Sequence, residues 1–314
     1  MRLIDLRCDW ALQYAAETCQ YDPAEYAEIP GRLARLDGYL MGTALAVLGA
    51  RRTPAEWSRQ ADPRRTLLEM LARHEAEFSG RLLARPDDAA RLREEPDGSL
   101  AWGVLAVDGL GRFVASPDDL DFLDVLFRRG VRVFRPFEPG RDGLGDLDRA
   151  ILGRLLDLAP AEGPRPILDL AGADAPTLAA ALDWIEADAD RPTRLLLLHS
   201  RAGAEPIEAD HLRRLRALGA TIGVVPGASA EAFREAIDAV VAHPFRGREG
   251  HEGVGVATDY LGVEAVAPEL ADVEKLEAWL VASFPPDVAP LLIAGNARSL
   301  LLAAAGCPEA PRSA

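Results

Sequence analysis

The sequence predicts one α/β domain, a single (β/α)8 TIM-type barrel, and three observations carry that prediction. Eight short apolar runs recur along the chain, amphipathic stretches separate them, and no linker or low-complexity segment divides the whole. Regular alternation of this kind is the signature of βα units and a parallel sheet. A length of 314 residues suits one barrel, which takes about 250 residues plus insertions. Doubly wound sheets share the alternation, and it is the number of strands that favours the barrel.

In order, the predicted strands are Leu3 to Asp9, Leu40 to Leu48, Leu100 to Asp108, Val131 to Phe137, Pro166 to Leu170, Leu195 to His199, Thr221 to Val225 and Gly253 to Asp259. A long helical region from about Pro54 to Ala84, interrupted by Pro63, follows the second strand. Ser116-Pro117-Asp118-Asp119 reads as a helix start, with a cap, an early proline and two acids. Leu120, Leu123 and Phe127 continue it at helical spacing, and Gly130 ends it. Leu178, Leu182 and Ile185 repeat the stripe after Asp174, as do Phe233, Ile237, Val240 and Val241 after Ser229. The stretch from Glu138 to Gly143 is short enough for a loop. The barrel therefore occupies residues 1–307, with 308–314 as a frayed tail.

Composition limits the classes of function. Hydrophobic residues make up 49% and charged residues 27%, the profile of a globular chain. A net charge of -15 argues against a nucleic-acid partner, since phosphate binding needs clustered Lys and Arg. The three cysteines, Cys8, Cys19 and Cys307, have no metal-ligand spacing, and their odd number suits a reducing compartment. Strand-like alternation from Leu3 predicts no signal peptide, and no apolar run is long enough for a membrane span. The expectation is a cytoplasmic protein with no membrane partner.

Barrel active sites lie at the C-terminal ends of the strands, so the charged residues there are the candidates. Asp5, Arg7 and Asp9 share one strand face, and such residues need partners inside an apolar barrel. Asp108, Glu138, His199 and Asp259 end the third, fourth, sixth and eighth strands. Carboxylates with one imidazole suit a divalent metal such as zinc or manganese. A carboxylate at a single strand end is more often a helix cap or loop acceptor. His74 and His211 lie in helical stretches and read as surface residues, while His243 and His251 precede the eighth strand at the opposite rim.

Taken in order, these segments resemble the membrane (renal) dipeptidase family of zinc metallopeptidases, over almost the whole chain. Leu3 to Asp9 is similar to the family's first strand, which carries a His-x-Asp pair. Ala106 to Gly109 resembles the segment of the bridging acid, Ile167 to Ala171 the fifth strand, and Leu197-Leu198-His199-Ser200 the sixth with its His-Ser pair. Gly255 to Gly262 and Ala294 to Arg298 are similar to the eighth strand and the closing helix. The resemblance implies a metal-dependent hydrolase of dipeptides or similar small amides, and a homodimer.

The departures fall on the implied ligands. Arg7 and Gly172 stand where the family has histidines, and Asp108 stands where it has a glutamate. Glu138 occupies a substrate-contacting His position, and Glu205 falls near a substrate-carboxylate Arg. By resemblance Asp9, Asp108 and His199 remain as metal ligands, enough for at most one divalent ion. Asp108 or Asp259 would be the catalytic base, with Glu138 and Asp259 touching substrate. Arg7, a permanent cation beside Asp9, would compete with a metal for these carboxylates. It is the candidate metal-replacing counter-ion of Asp9, Asp108 or both. The site as a whole reads as acidic, which favours an amine-bearing ligand.

Two functions stay open from the sequence. One is a one-metal, dipeptidase-like hydrolase of a small-molecule or dipeptide-like ligand. The other is a catalytically inactive family member that needs no metal and serves as a binding or assembly module.

Overall fold

A computed structural model of the chain describes residues 2–8, 43–50, 61–94, 101–137, 140, 143–204, 207–259 and 266–307. Eight parallel strands close into a barrel in sequence order. They are β1 (Leu3–Cys8), β2 (Thr43–Ala50), β3 (Trp102–Asp108), β4 (Val131–Arg135), β5 (Ile167–Asp169), β6 (Leu196–Ala202), β7 (Thr221–Val224) and β8 (Val254–Val256). All eight coincide with predicted runs. The ends differ by a few residues, and β4 stops at Arg135 rather than Phe137. That difference matters for the site, because it makes Arg135 the end of the strand.

Among the described residues, the helices of eight residues or more pack outside the barrel. They are α1 (Pro63–Glu77), α2 (Pro86–Glu94), α3 (Asp121–Arg128), α4 (Asp146–Asp157), α5 (Ala175–Glu186), α6 (Ala209–Leu218), α7 (Ala230–Val241), α8 (Val273–Ser283) and α9 (Asn296–Ala304). Pro63 opens α1, and residues 51–60 lie outside the described residues. Asp62 accepts from the Arg65 N–H and Pro63 sits in the first turn, where it has no hydrogen bond to lose. Asp174 caps α5 through the Thr177 N–H, and Ser229 caps α7 through the Ala232 N–H. At Ser116 the roles differ from the expectation. Asp119 reaches back to accept from the Ser116 N–H and hydroxyl, closing a short 3-10 turn ahead of α3.

Two histidines are corrected. His74 is fully buried on α1 in line with Leu67, Met70 and Leu71, and His211 is buried on α6 beside Leu212 and Leu215. Each occupies the inward stripe of its helix, which a lone polar residue does not announce. No helix among the described residues is long and apolar enough to cross a membrane. The segment 308–314 lies outside the described residues.

Candidate functional site

Two buried aspartates tie strand ends together by the same construction. Asp5 on β1 accepts from the Arg7 N–H at 3.0 Å, the Thr258 N–H at 2.8 Å and the Thr258 hydroxyl at 2.6 Å. Asp169 on β5 accepts from the Ala171 N–H at 3.1 Å, the Ser200 N–H at 3.1 Å and the Ser200 hydroxyl at 2.6 Å. In both, a strand carboxylate takes the amide two residues on, then both donors of a hydroxyl residue on the neighbouring strand (Ser200 on β6) or just beyond its end (Thr258 after β8). Several donors to one carboxylate offset the cost of burying its charge. The two clamps fix the segments that carry the other charged groups: Arg7 follows Asp5, Arg201 follows Ser200, and Asp259 follows Thr258.

Arg7, Asp108, Arg135, Asp169 and Ser200 form a closed ring at the C-terminal mouth. Arg7 Nη2 lies 3.5 Å from Asp108 Oδ2, and Arg135 Nη1 donates to Asp108 Oδ1 at 2.7 Å. Arg135 Nε donates to Asp169 Oδ2 at 2.5 Å. The Ser200 hydroxyl donates to Asp169 and accepts from Arg7 Nη1 at 3.3 Å, which returns the circuit to its start. Asp259 branches from the ring, 3.1 Å from Arg7 Nε and 2.9 Å from Arg201 Nε. Burial pushes the Asp169 carboxyl up, but Arg135, the Ser200 hydroxyl and Arg7 outweigh it and hold the pKa below its ordinary value. For Arg135, burial lowers the pKa and Asp108 and Asp169 raise it, so the guanidinium is held more firmly charged than usual.

The backbone at Asp259 is itself unusual. Its φ is +44°, the left-handed region that a non-glycine residue adopts at a cost. Its N–H donates to the Arg7 carbonyl at 3.1 Å, and its buried carboxylate lies between two guanidinium groups.

Among the sequence candidates, the structure brings Arg7, Asp108 and Asp259 together. Asp9, Glu138 and Glu205 lie outside the described residues. His199 is buried on β6 beside Ser200. Among the described residues no three His, Cys, Asp or Glu side chains converge as a metal ion requires, so His199 and Asp108 do not form a ligand set with a third such group there. Gly172 follows β5 with φ +87°, and a Cβ there would meet the Phe137 carbonyl oxygen at 3.1 Å.

Sequence reasoning missed Arg135, Asp169, Ser200 and Arg201. With the strand carried on to Phe137, Glu138 reads as its end and Arg135 as mid-strand. The signal was there: Arg135 and Asp169 are charged residues inside short runs that are otherwise largely apolar and wholly buried. Among the described residues, Arg7, Arg135 and Arg201 stand against Asp108, Asp169 and Asp259.

No protein-family model matches the chain, and no curated protein sequence does either. Its fold is that of a solved structure, the probable dipeptidase PvdM from Pseudomonas aeruginosa. The TM-score is 0.57 at 16% identity, covering 91% of this chain and 88% of that one. A zinc-bound amidohydrolase from Burkholderia multivorans aligns over 96% of this chain and 99% of that one, with a TM-score of 0.43 and 14% identity. The eight-stranded barrel read from the sequence thus has a counterpart in the fold of the first of these structures.

The metal that the resemblance implies does not fit the residues described. Both Asp108 oxygens face guanidinium donors, both Asp259 oxygens lie against Arg7 and Arg201, and Asp169 accepts from four donors. A divalent cation at these carboxylates would have to displace fixed positive charge, because arginine stays protonated.

Proposed function

We propose that this chain is a dipeptidase-like barrel that does not hydrolyse, and that its mouth binds a small zwitterionic ligand such as a dipeptide. The observation that carries the reading is the ring Arg7–Asp108–Arg135–Asp169–Ser200, in which a guanidinium stands beside each of its carboxylates, Asp108 among them. The surfaces left to solvent support the ligand class. Asp108 and Arg201 keep 16% and 19% of their side-chain surface, whereas Arg7, Arg135, Asp169 and Asp259 keep 5% or less. One accessible carboxylate and one accessible guanidinium match an ammonium and a carboxylate on a single molecule. Arg135 Nη2 adds a buried donor that has no hydrogen-bond partner among the described residues.

The competing reading is a one-metal hydrolase built on Asp9, Asp108 and His199 with zinc or manganese, and the retained His199 favours it. Glycyl-alanine titrated into the protein, and assayed for cleavage with added zinc or manganese, separates the two. The binding reading expects saturable binding without cleavage, weakened about tenfold by Asp108→Asn or Arg201→Gln. Cleavage that His199→Ala abolishes overturns it.

A further inference from the structure

A cavity opens at the other end of the barrel, away from the ring. It measures about 760 Å³ and is walled by the first residues of β6 and β7, the segment leading into β8, and one face of α9. This volume falls in the range of small-molecule sites. Its charged lining is Arg165, Arg246 and Arg248 against the single acid Glu252. Arg248 is paired with Glu252 at 2.6 Å. The Arg165 side chain donates to the Thr193 carbonyl at 3.3 Å, and neither it nor Arg246 has a carboxylate partner among the described residues. Arg246 lies over the Phe245 ring, 5.6 Å from its centroid, yet two guanidinium groups without a carboxylate partner among the described residues, lining one cavity, stand out in a chain whose net charge is -15.

The backbone is arranged to hold them there. Gly219 ends α6 with φ +82°, and a Cβ at this position would run into the Arg246 guanidinium. The bare glycine is the floor on which that side chain lies. Arg246 itself has φ +49°, a conformation that costs a non-glycine residue free energy and tends to persist at ligand clamps. Its N–H is anchored to the Arg216 carbonyl at 3.1 Å, and Arg216 is in turn buried and bonded to the His243 and Gly250 carbonyls. Asn296, on the α9 wall, is fixed by bonds from Nδ2 to the His251 and Val254 carbonyls, both 2.7 Å. Burial lowers the Arg165 pKa, and the neighbouring Arg246 cation lowers it further. An anion between the two would remove that repulsion.

We infer that this cavity is a binding site for a small organic anion, whose phosphate or carboxylate group is held between Arg165 and Arg246. Guanidinium groups are suited to either oxyanion through paired, charge-assisted hydrogen bonds. The site is separate from the mouth, so it neither needs nor excludes the reading given above.

Calorimetric titration with inorganic pyrophosphate and with citrate, each against sodium chloride at matched ionic strength, tests it and distinguishes the two anion types. Saturable binding of at least one probe is expected, weakened about tenfold or more in both Arg165→Gln and Arg246→Gln. Without ligand, both variants are expected to melt no lower than the parent, since each removes one of two like charges. Absence of saturable binding by either probe, or binding unchanged in both variants, overturns the inference. So does a ligand-free melting point several degrees lower in both variants, because the arginines would then be structural.

Discussion

Arg7 and Asp259 are joined twice, once by charge and once by backbone. The Asp259 carboxylate lies 3.1 Å from Arg7 Nε, while the Asp259 N–H donates to the Arg7 carbonyl at 3.1 Å. Asp259 takes up a left-handed φ of +44° in this arrangement and also receives Arg201. Replacing its carboxylate therefore leaves two guanidinium groups without their shared acid. Asp259→Asn is expected to destabilise the fold by about 3–5 kcal/mol, the range for breaking a buried pair from one side. Urea denaturation measures this, and a loss below about 1 kcal/mol would mean that the carboxylate is not compensating buried charge.

Gly172 sits where the resemblance places a histidine, but its backbone does not accept a side chain readily. With φ +87° and the Phe137 carbonyl oxygen 3.1 Å from a Cβ, Gly172→Ala is expected to cost about 1–2 kcal/mol. The double variant Arg7→His with Gly172→His is expected to recover no zinc binding. Thermal melting checks the first expectation, and metal analysis of the purified double variant checks the second.

His74 gives the protein a pH dependence that no exposed histidine would. Burial pushes its pKa from 6.5 down to about 4, only partly opposed by a hydrogen bond with the Gly49 backbone. The unfolded chain binds the proton more readily, so the stabilisation is present above pH 6.5 and is lost as pH falls toward 4. About 3 kcal/mol is at stake across that window. Chemical denaturation at pH 7 and at pH 4.5 should show the loss, and His74→Gln should flatten it. An equal loss in the variant would assign the effect to other groups.

Asp169 contributes at lower pH. Burial raises its pKa, but Arg135, the Ser200 hydroxyl and Arg7 bring it below 3.8. Its stabilisation is therefore present above pH 3.8 and lost as pH falls through the lower folded value. Ser200→Ala removes the 2.6 Å bond and the ring's link from Arg7, and is expected to cost about 1–3 kcal/mol at pH 7. Denaturation at neutral pH measures it, and a neutral effect would show that the clamp does not need the hydroxyl.

The barrel was legible because each strand is a short apolar run whose identity survives errors of two or three residues at its ends. The site was legible only where a charge interrupts such a run visibly, as at Arg7, Asp108 and Asp259. Arg135 was lost to one of those end errors, since it reads as mid-strand when β4 is carried on to Phe137. Ser200 was read as the companion of His199, although it is the serine that joins the ring. Arg201 has no local pattern at all; its partner Asp259 is 58 residues away. His74 was misread because one polar residue on an inward stripe looks, in sequence, like one on the outward face.

The central claim is that guanidinium groups occupy the carboxylates a metal would otherwise take. Metal analysis of protein purified without chelator, then dialysed against micromolar zinc, tests it most directly. The ring predicts far less than one equivalent of zinc per chain, with no change when His199 is replaced by alanine. One or more equivalents retained by the parent, and lost in His199→Ala, would contradict it.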